Sequence, residues 1–183
     1  MNQLPPETAE PRKPRKPNVA LWALLAVFVC FAIGIAAAGS ALYPMLLRAR
    51  AIRAGGICIR RLHRSSTAMS MYAADYDGRL PVATAWMDQT VAYVPSDRLF
   101  RCPESWREGT DAYGFAMNIA LSNEKAAKVA DRSKTPMVFD SSILKLNAAS
   151  GVETLPQRGR HRGGNNVAYV DGHVRRILAG AKP

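Results

Sequence analysis

The chain has 183 residues and a formal net charge of +11, from 25 Lys plus Arg against 14 Asp plus Glu. That length holds one modest domain and excludes a multidomain machine. With 48% hydrophobic, 21% charged and 8% aromatic residues, it is neither a disordered tail nor a collagen-like or disulfide-dense secreted scaffold.

Residues 1–18 form a basic, proline-rich tail. Pro5, Pro6, Pro11, Pro14 and Pro17 alternate with Arg12, Lys13, Arg15 and Lys16, a composition that cannot bury a core and stays extended. From Val19 to Leu47 no residue is charged, and roughly 20 apolar residues suffice for a helix to cross a bilayer core about 30 Å thick. A transmembrane helix is therefore expected over residues 19–47. Ala36-Ala37-Ala38 imitates a signal-peptidase site, but the apolar run before it exceeds the roughly 7 to 15 residues of a cleaved signal. Trp22 and Tyr43 suit the two membrane interfaces, and Gly34, Gly39 and Ser40 add to a small-residue face that could receive another helix.

Pro44 interrupts the pattern without ending it, because apolar residues return at helical spacing through Ile52, Ile57, Leu62, Met69 and Tyr72 up to Asp77-Gly78. A kinked helix is expected to continue over residues 48–76. Beyond it, residues 77–183 change to short apolar pieces between turn residues: Val91–Val94, Tyr113–Leu121, Pro136–Phe139, Asn166–Val170 and His173–Leu178. The last two flank Asp171-Gly172, a signal for a two-residue type I′ hairpin turn. The fold class expected is α+β, with a long N-terminal helix packed on a small antiparallel sheet that ends in a β-hairpin.

Several motifs then occur in a recognisable order. Tyr43-Pro44, Arg48-Ala49-Arg50, Cys58 and Met71-Tyr72-Ala73-Ala74-Asp75-Tyr76-Asp77-Gly78 are followed by Phe100-Arg101-Cys102-Pro103 and Tyr113-Gly114-Phe115. Last come His161 and, after nine residues, Asp171-Gly172. This series resembles the pseudopilin-like proteins of the type II secretion and type IV pilus superfamily, with the prepilin-type H-x9-D-G domain over residues 161–178. The resemblance implies a pilin-like fold and no enzymatic activity. It also implies a single-pass protein of the bacterial inner membrane, with a cytoplasmic N-terminus and a periplasmic C-terminal domain. His161, Asp171 and Gly172 are then structural signature residues, and the implied partners are membrane lipid, other pilin-like subunits and secretion-system components. One departure is plain. With the helix proline aligned on Pro44, Trp22 replaces the Gly before the usual peptidase cut, and Val27 replaces the Glu thought to pair with a neighbouring subunit's N-terminal amine. A valine at that depth suits an ordinary anchor.

Cys30 lies in the apolar span, which leaves Cys58 and Cys102 in the remaining chain. In a periplasmic domain those two form a candidate disulfide, worth about 3 to 4 kcal/mol by loop-closure entropy; in a cytosolic domain they are two buried thiols. The positive-inside rule counts basic residues on both flanks of the span, and Arg48, Arg50, Arg53, Arg60, Arg61 and Arg64 would by themselves hold the C-terminal domain in the cytoplasm. The resemblance implies the reverse. These arginines also suit anionic lipid headgroups. Arg158, Arg160, Arg162, Arg175 and Arg176 form a second basic group, from which an alternative follows: a membrane-tethered receptor for DNA or another polyanion. Its one nearby aromatic, Tyr169, is a poor stacking platform.

A metal hydrolase built on His161, Asp171 and His173 is a third reading. Turn chemistry already accounts for Asp171, and no Cys or carboxylate completes a ligand spacing of the usual zinc kind. The sequence also lacks G-x-S-x-G, H-E-x-x-H and P-loop patterns. No catalytic residue, metal or cofactor is therefore expected.

Overall fold

A computed structural model describes residues 18–105 and 113–183. Most of the expected basic tail lies outside the described residues. Helix α1 spans Val19–Asp75 and contains Pro44. Side chains from Val19 to Arg50 are exposed, and the most apolar 18-residue window has a mean hydropathy of 2.7 with none of it buried. The helix is thus long and apolar enough to cross a membrane.

The second half of α1 is built differently. Cys58, Leu62, Met69 and Ala73 are buried at helical spacing, so one stripe faces a core. Ser65 and Ser66 share that buried side, and their hydroxyls donate back to the Arg61 and His63 carbonyls at 3.0 and 2.8 Å, which removes the penalty of burying them. The helix ends where Asp77 and Gly78 take φ values of 51° and 76°. There the Gly78 N–H closes on the Ala73 carbonyl at 2.7 Å, in the manner of a Schellman cap.

After a short helix α2 (Trp86–Thr90) come, among the described residues, five strands: β1 (Phe115–Asn118), β2 (Pro136–Asp140), β3 (Ala149–Ser150), β4 (Gly164–Tyr169) and β5 (Val174–Leu178). They form one sheet in the order β3-β1-β2-β4-β5. The fold is α+β as expected, but the sheet is mixed: β1 and β3 run parallel, and the other neighbours antiparallel. A second correction concerns Val91–Val94, where Val91–Tyr93 forms a 3-10 turn continuing α2. The Thr90 hydroxyl donates to the Trp86 carbonyl at 2.7 Å, holding the helical course that the β-branched run would otherwise leave.

Side-chain alternation sends the strands' residues to two faces. Phe115, Met117, Val138 and Ala168 join the α1 stripe and Trp86 in one core. Ala116, Phe139, Val167, Tyr169 and Ile177 form a second core, covered by Ile143, Val152 and Leu155. The β4–β5 hairpin turns at Asp171-Gly172, though not as a two-residue type I′ loop. Only Gly172 has a positive φ, 92°, while Tyr169 pairs through its N–H with the His173 carbonyl at 2.9 Å. Three residues therefore form the loop, and the glycine takes the left-handed position that such loops need.

Candidate functional site

Three segments distant in sequence meet behind α1. Cys58 lies on the buried stripe one turn before Leu62. The segment after residue 98 is anchored by Phe100, whose ring meets Trp86 edge-on at 5.3 Å, and by the Arg61 guanidinium, which donates to the Arg101 carbonyl at 2.6 Å. The next residue, Cys102, is then fully buried, and a turn follows in which the Ser105 N–H and hydroxyl both donate to the Cys102 carbonyl, at 3.1 and 2.8 Å. Glu104 is thereby directed inward.

The third segment precedes β4. Gly159, Arg162 and Gly163 take positive φ values of 69°, 53° and 80°, so the chain folds back on itself and the His161 N–H reaches the Gly164 carbonyl at 2.8 Å. A side chain at Gly159 would strike the Gly163 and Gly164 backbone at 2.3 Å. This tight loop inserts His161, 2% exposed, between the two cysteines and two carboxylates.

The imidazole is held at both nitrogens. Nδ1 meets Glu104 Oε2 at 2.9 Å, while Nε2 faces Cys102 Sγ at 3.6 Å and Asp140 at 3.3 Å to Oδ2 and 3.4 Å to Oδ1. Asp140 closes β2 and is fully buried. Its charge is compensated by the Asn166 N–H at 2.6 Å and by Arg160 Nη1 at 3.8 Å. Arg160 also donates to the Gly114 and Ser141 carbonyls at 2.7 and 2.6 Å, so its buried guanidinium is a structural cross-tie.

The sulfur atoms of Cys58 and Cys102 and one nitrogen of His161 all lie within 4.8 Å of one another. Neither cysteine is in a disulfide. The Cys58 thiol donates to Cys102 sulfur, which with burial and the neighbouring negative charge pushes the Cys58 pKa upward. Cys102 moves the other way, to about 6, because the hydrogen bonds from Cys58 and His161 outweigh its burial. Burial opposes a charged His161, but its bonds to Asp140 and Cys102 overcome this and raise it to about 10. These shifts favour a Cys102 thiolate beside the Cys58 thiol and a protonated His161. Such a set can attack an electrophile, bind a soft metal ion or oxidise. Attack on a substrate needs access, and here both sulfurs are fully buried.

The sequence-predicted residues separate accordingly. Cys58 and Cys102 come together, joined by His161. Asp171 and His173 instead pair with each other on the exposed hairpin turn, at 2.6 Å, in surroundings unlike those of the buried imidazole. The link between His161 and the hairpin is Arg176, which donates to the His161 carbonyl and, at 2.7 Å, to that of Arg162. In the expected polyanion patch Arg160 is buried, while Arg158, Arg162, Arg175 and Arg176 are exposed and Arg175 lies 5.7 Å over the Tyr169 ring. Glu104 and Asp140 were missed by sequence reasoning; the nearest local signal was a carboxylate two residues after Cys102.

Compared with family models, curated proteins and solved structures, the chain has no match in any of the three.

Proposed function

We propose that this chain is a membrane-anchored, pseudopilin-like structural protein acting in or beside a type II secretion or type IV pilus-like assembly, with its α+β domain on the periplasmic side of the inner membrane. The observation that carries this reading is α1. One helix supplies an exposed, charge-free stretch long enough to span a bilayer, and further along it supplies the stripe Cys58, Leu62, Met69 and Ala73 to the core beneath the sheet. The ordered motifs from Tyr43-Pro44 to Asp171-Gly172 support it from the sequence side. Trp22 and Val27 in place of the maturation Gly and the assembly Glu favour a permanent anchor over a cleaved, polymerising subunit. The burial of its thiols and imidazole favours a structural role over catalysis.

The test is in-cell photocrosslinking from a probe at Leu25 on the exposed apolar helix, with N-terminal sequencing of the same membrane-extracted protein. Crosslinks to other pilin-like subunits or to inner-membrane platform proteins, with residues before Trp22 retained, are expected. Recovery of the chain among soluble proteins would remove the proposal.

A further inference from the structure

We infer that Cys58, Cys102 and His161 form a structural zinc site, with Asp140 beside the fourth coordination position. The donor set is of the type zinc selects: two sulfurs, one imidazole nitrogen and a neighbouring carboxylate, all enclosed. The spacing agrees as well. With Zn–S near 2.3 Å and Zn–N or Zn–O near 2.0–2.1 Å, tetrahedral geometry places a sulfur and a nitrogen ligand about 3.6 Å apart, and a nitrogen and an oxygen about 3.4 Å apart. Cys102 Sγ stands 3.6 Å from His161 Nε2, and the Asp140 oxygens stand 3.3 and 3.4 Å from that nitrogen. Cys58 sulfur lies within 4.8 Å of both other ligand atoms, so all three segments bring a donor to one small volume.

The surroundings match the needs of metal ligands independently of those distances. A ligating histidine donates its remaining N–H to a carboxylate or carbonyl, which fixes the ring; His161 does so through Nδ1 to Glu104 at 2.9 Å. The Glu104 backbone N–H is directed at Cys58 sulfur, a contact that offsets thiolate charge. Arg160 and the Asn166 N–H hold Asp140 from its other side. A cleft of about 190 Å³ lined by Ile59, His161, Asn166 and Arg176 borders the site at His161. When the ion binds, the Cys58 thiol proton and the His161 Nε2 proton leave to water, and both sulfurs and that nitrogen become ligands. The site would join the helix, the Cys102 segment and the loop before β4, three pieces otherwise held to one another by packing and a few hydrogen bonds.

The competing chemistry is a Cys58–Cys102 disulfide, and the two exclude each other. The full chain, extracted in detergent without added metal or reductant, should carry about one zinc per chain. Cys58 and Cys102 should resist alkylation until a chelator and denaturant are added together, with each thiol scored by peptide mapping so that Cys30, covered by detergent in the apolar span, is counted separately. Cobalt(II) added to the reduced, metal-free full chain should give the intense visible bands of a tetrahedral site and a thiolate-to-cobalt band in the near ultraviolet. These readings use the unaltered sequence, so they do not depend on any variant folding; in addition, His161→Ala should weaken or change the cobalt spectrum. A Cys58–Cys102 disulfide in the extracted protein, two free thiols without stoichiometric metal, or a cobalt spectrum of octahedral type would each overturn the inference.

Discussion

Glu104 and His161 are joined at 2.9 Å through a carboxylate oxygen and Nδ1, and that bond, with the Asp140 contacts at Nε2, sets which ring nitrogen faces Cys102. Without it the ring is held from the Nε2 side alone. Glu104→Ala should leave the sheet intact yet lower zinc retention by roughly 10- to 100-fold, the usual cost of losing such a partner. Glu104→Gln keeps an acceptor for the Nδ1 proton and should lie between wild type and Ala. Competition with a chromophoric chelator measures this directly, and equal affinities for all three proteins would show that Glu104 does not orient the ring.

Gly114 and Gly151 make a controlled pair. A Cβ on Gly114 would approach Ser105 Cβ at 2.9 Å, Arg160 Nη1 at 3.0 Å and Cys102 Cβ at 3.1 Å, all of them parts of the buried cluster that cannot withdraw. Gly114→Ala should therefore destabilise by about 1–3 kcal/mol, the range for overfilling a packed interior. A Cβ on Gly151 meets only the end of the Glu153 side chain, which can swing away, so Gly151→Ala should be close to neutral. Urea midpoints of the two variants check the contrast.

Gly172 tests the hairpin by strain alone, since a Cβ there would find nothing within 4 Å while φ is 92°. Gly172→Ala should cost about 1–2 kcal/mol from the positive φ. Hydrogen exchange should show the loss as faster opening of β5, with the helix amides of residues 62–73 little changed.

Asp131 gives a pH dependence remote from the buried cluster. Its carboxylate accepts from the Ser133 hydroxyl at 2.7 Å and the Lys134 N–H at 3.2 Å, and these bonds, with the Lys134 charge, hold its pKa below the ordinary value. A lowered carboxyl pKa means that the unfolded chain takes up protons first as pH falls. The contribution is therefore fully present above the ordinary carboxylate range and is lost as pH drops through it towards the depressed folded value. The residue is exposed, so the effect is small. A stability difference between wild type and Asp131→Asn, read from thermal midpoints, should be present at pH 7 and vanish in acid.

What could be read from sequence was what lies close in sequence. The β4–β5 hairpin announced itself through Asp171-Gly172 and the flanking alternation, and the α1 stripe through its 3.6-residue period. Strand β3 could not be seen, because Ala149–Ser150 is too short to show any alternation, and with it went the parallel pairing that makes the sheet mixed. The buried cluster was hidden for a similar reason. Its two sulfurs and ring nitrogen come from positions 58, 102 and 161, so no local spacing motif exists, and along the chain His161 has only Asp171 and His173 as neighbouring candidates. Arg160 reads as a surface charge among other arginines; only the closing of the 159–163 loop shows that it points inward to Asp140.

The span and the domain should separate in experiment. The buried core side chains named above begin at Cys58, and residues 47–183 form a compact unit by themselves, so a chain starting at Leu47 should fold, remain in solution and melt within a few degrees of the full protein. The full chain should resist alkaline carbonate extraction from membranes. Phe28 and Ile33 lie well inside the apolar stretch, where a central arginine costs about 2.5–3.5 kcal/mol to insert. Phe28→Arg with Ile33→Arg should therefore release the protein from the membrane while the domain's melting transition stays where it was. Retention of that double variant in carbonate-washed membranes would mean that residues 19–47 are not what holds the protein there.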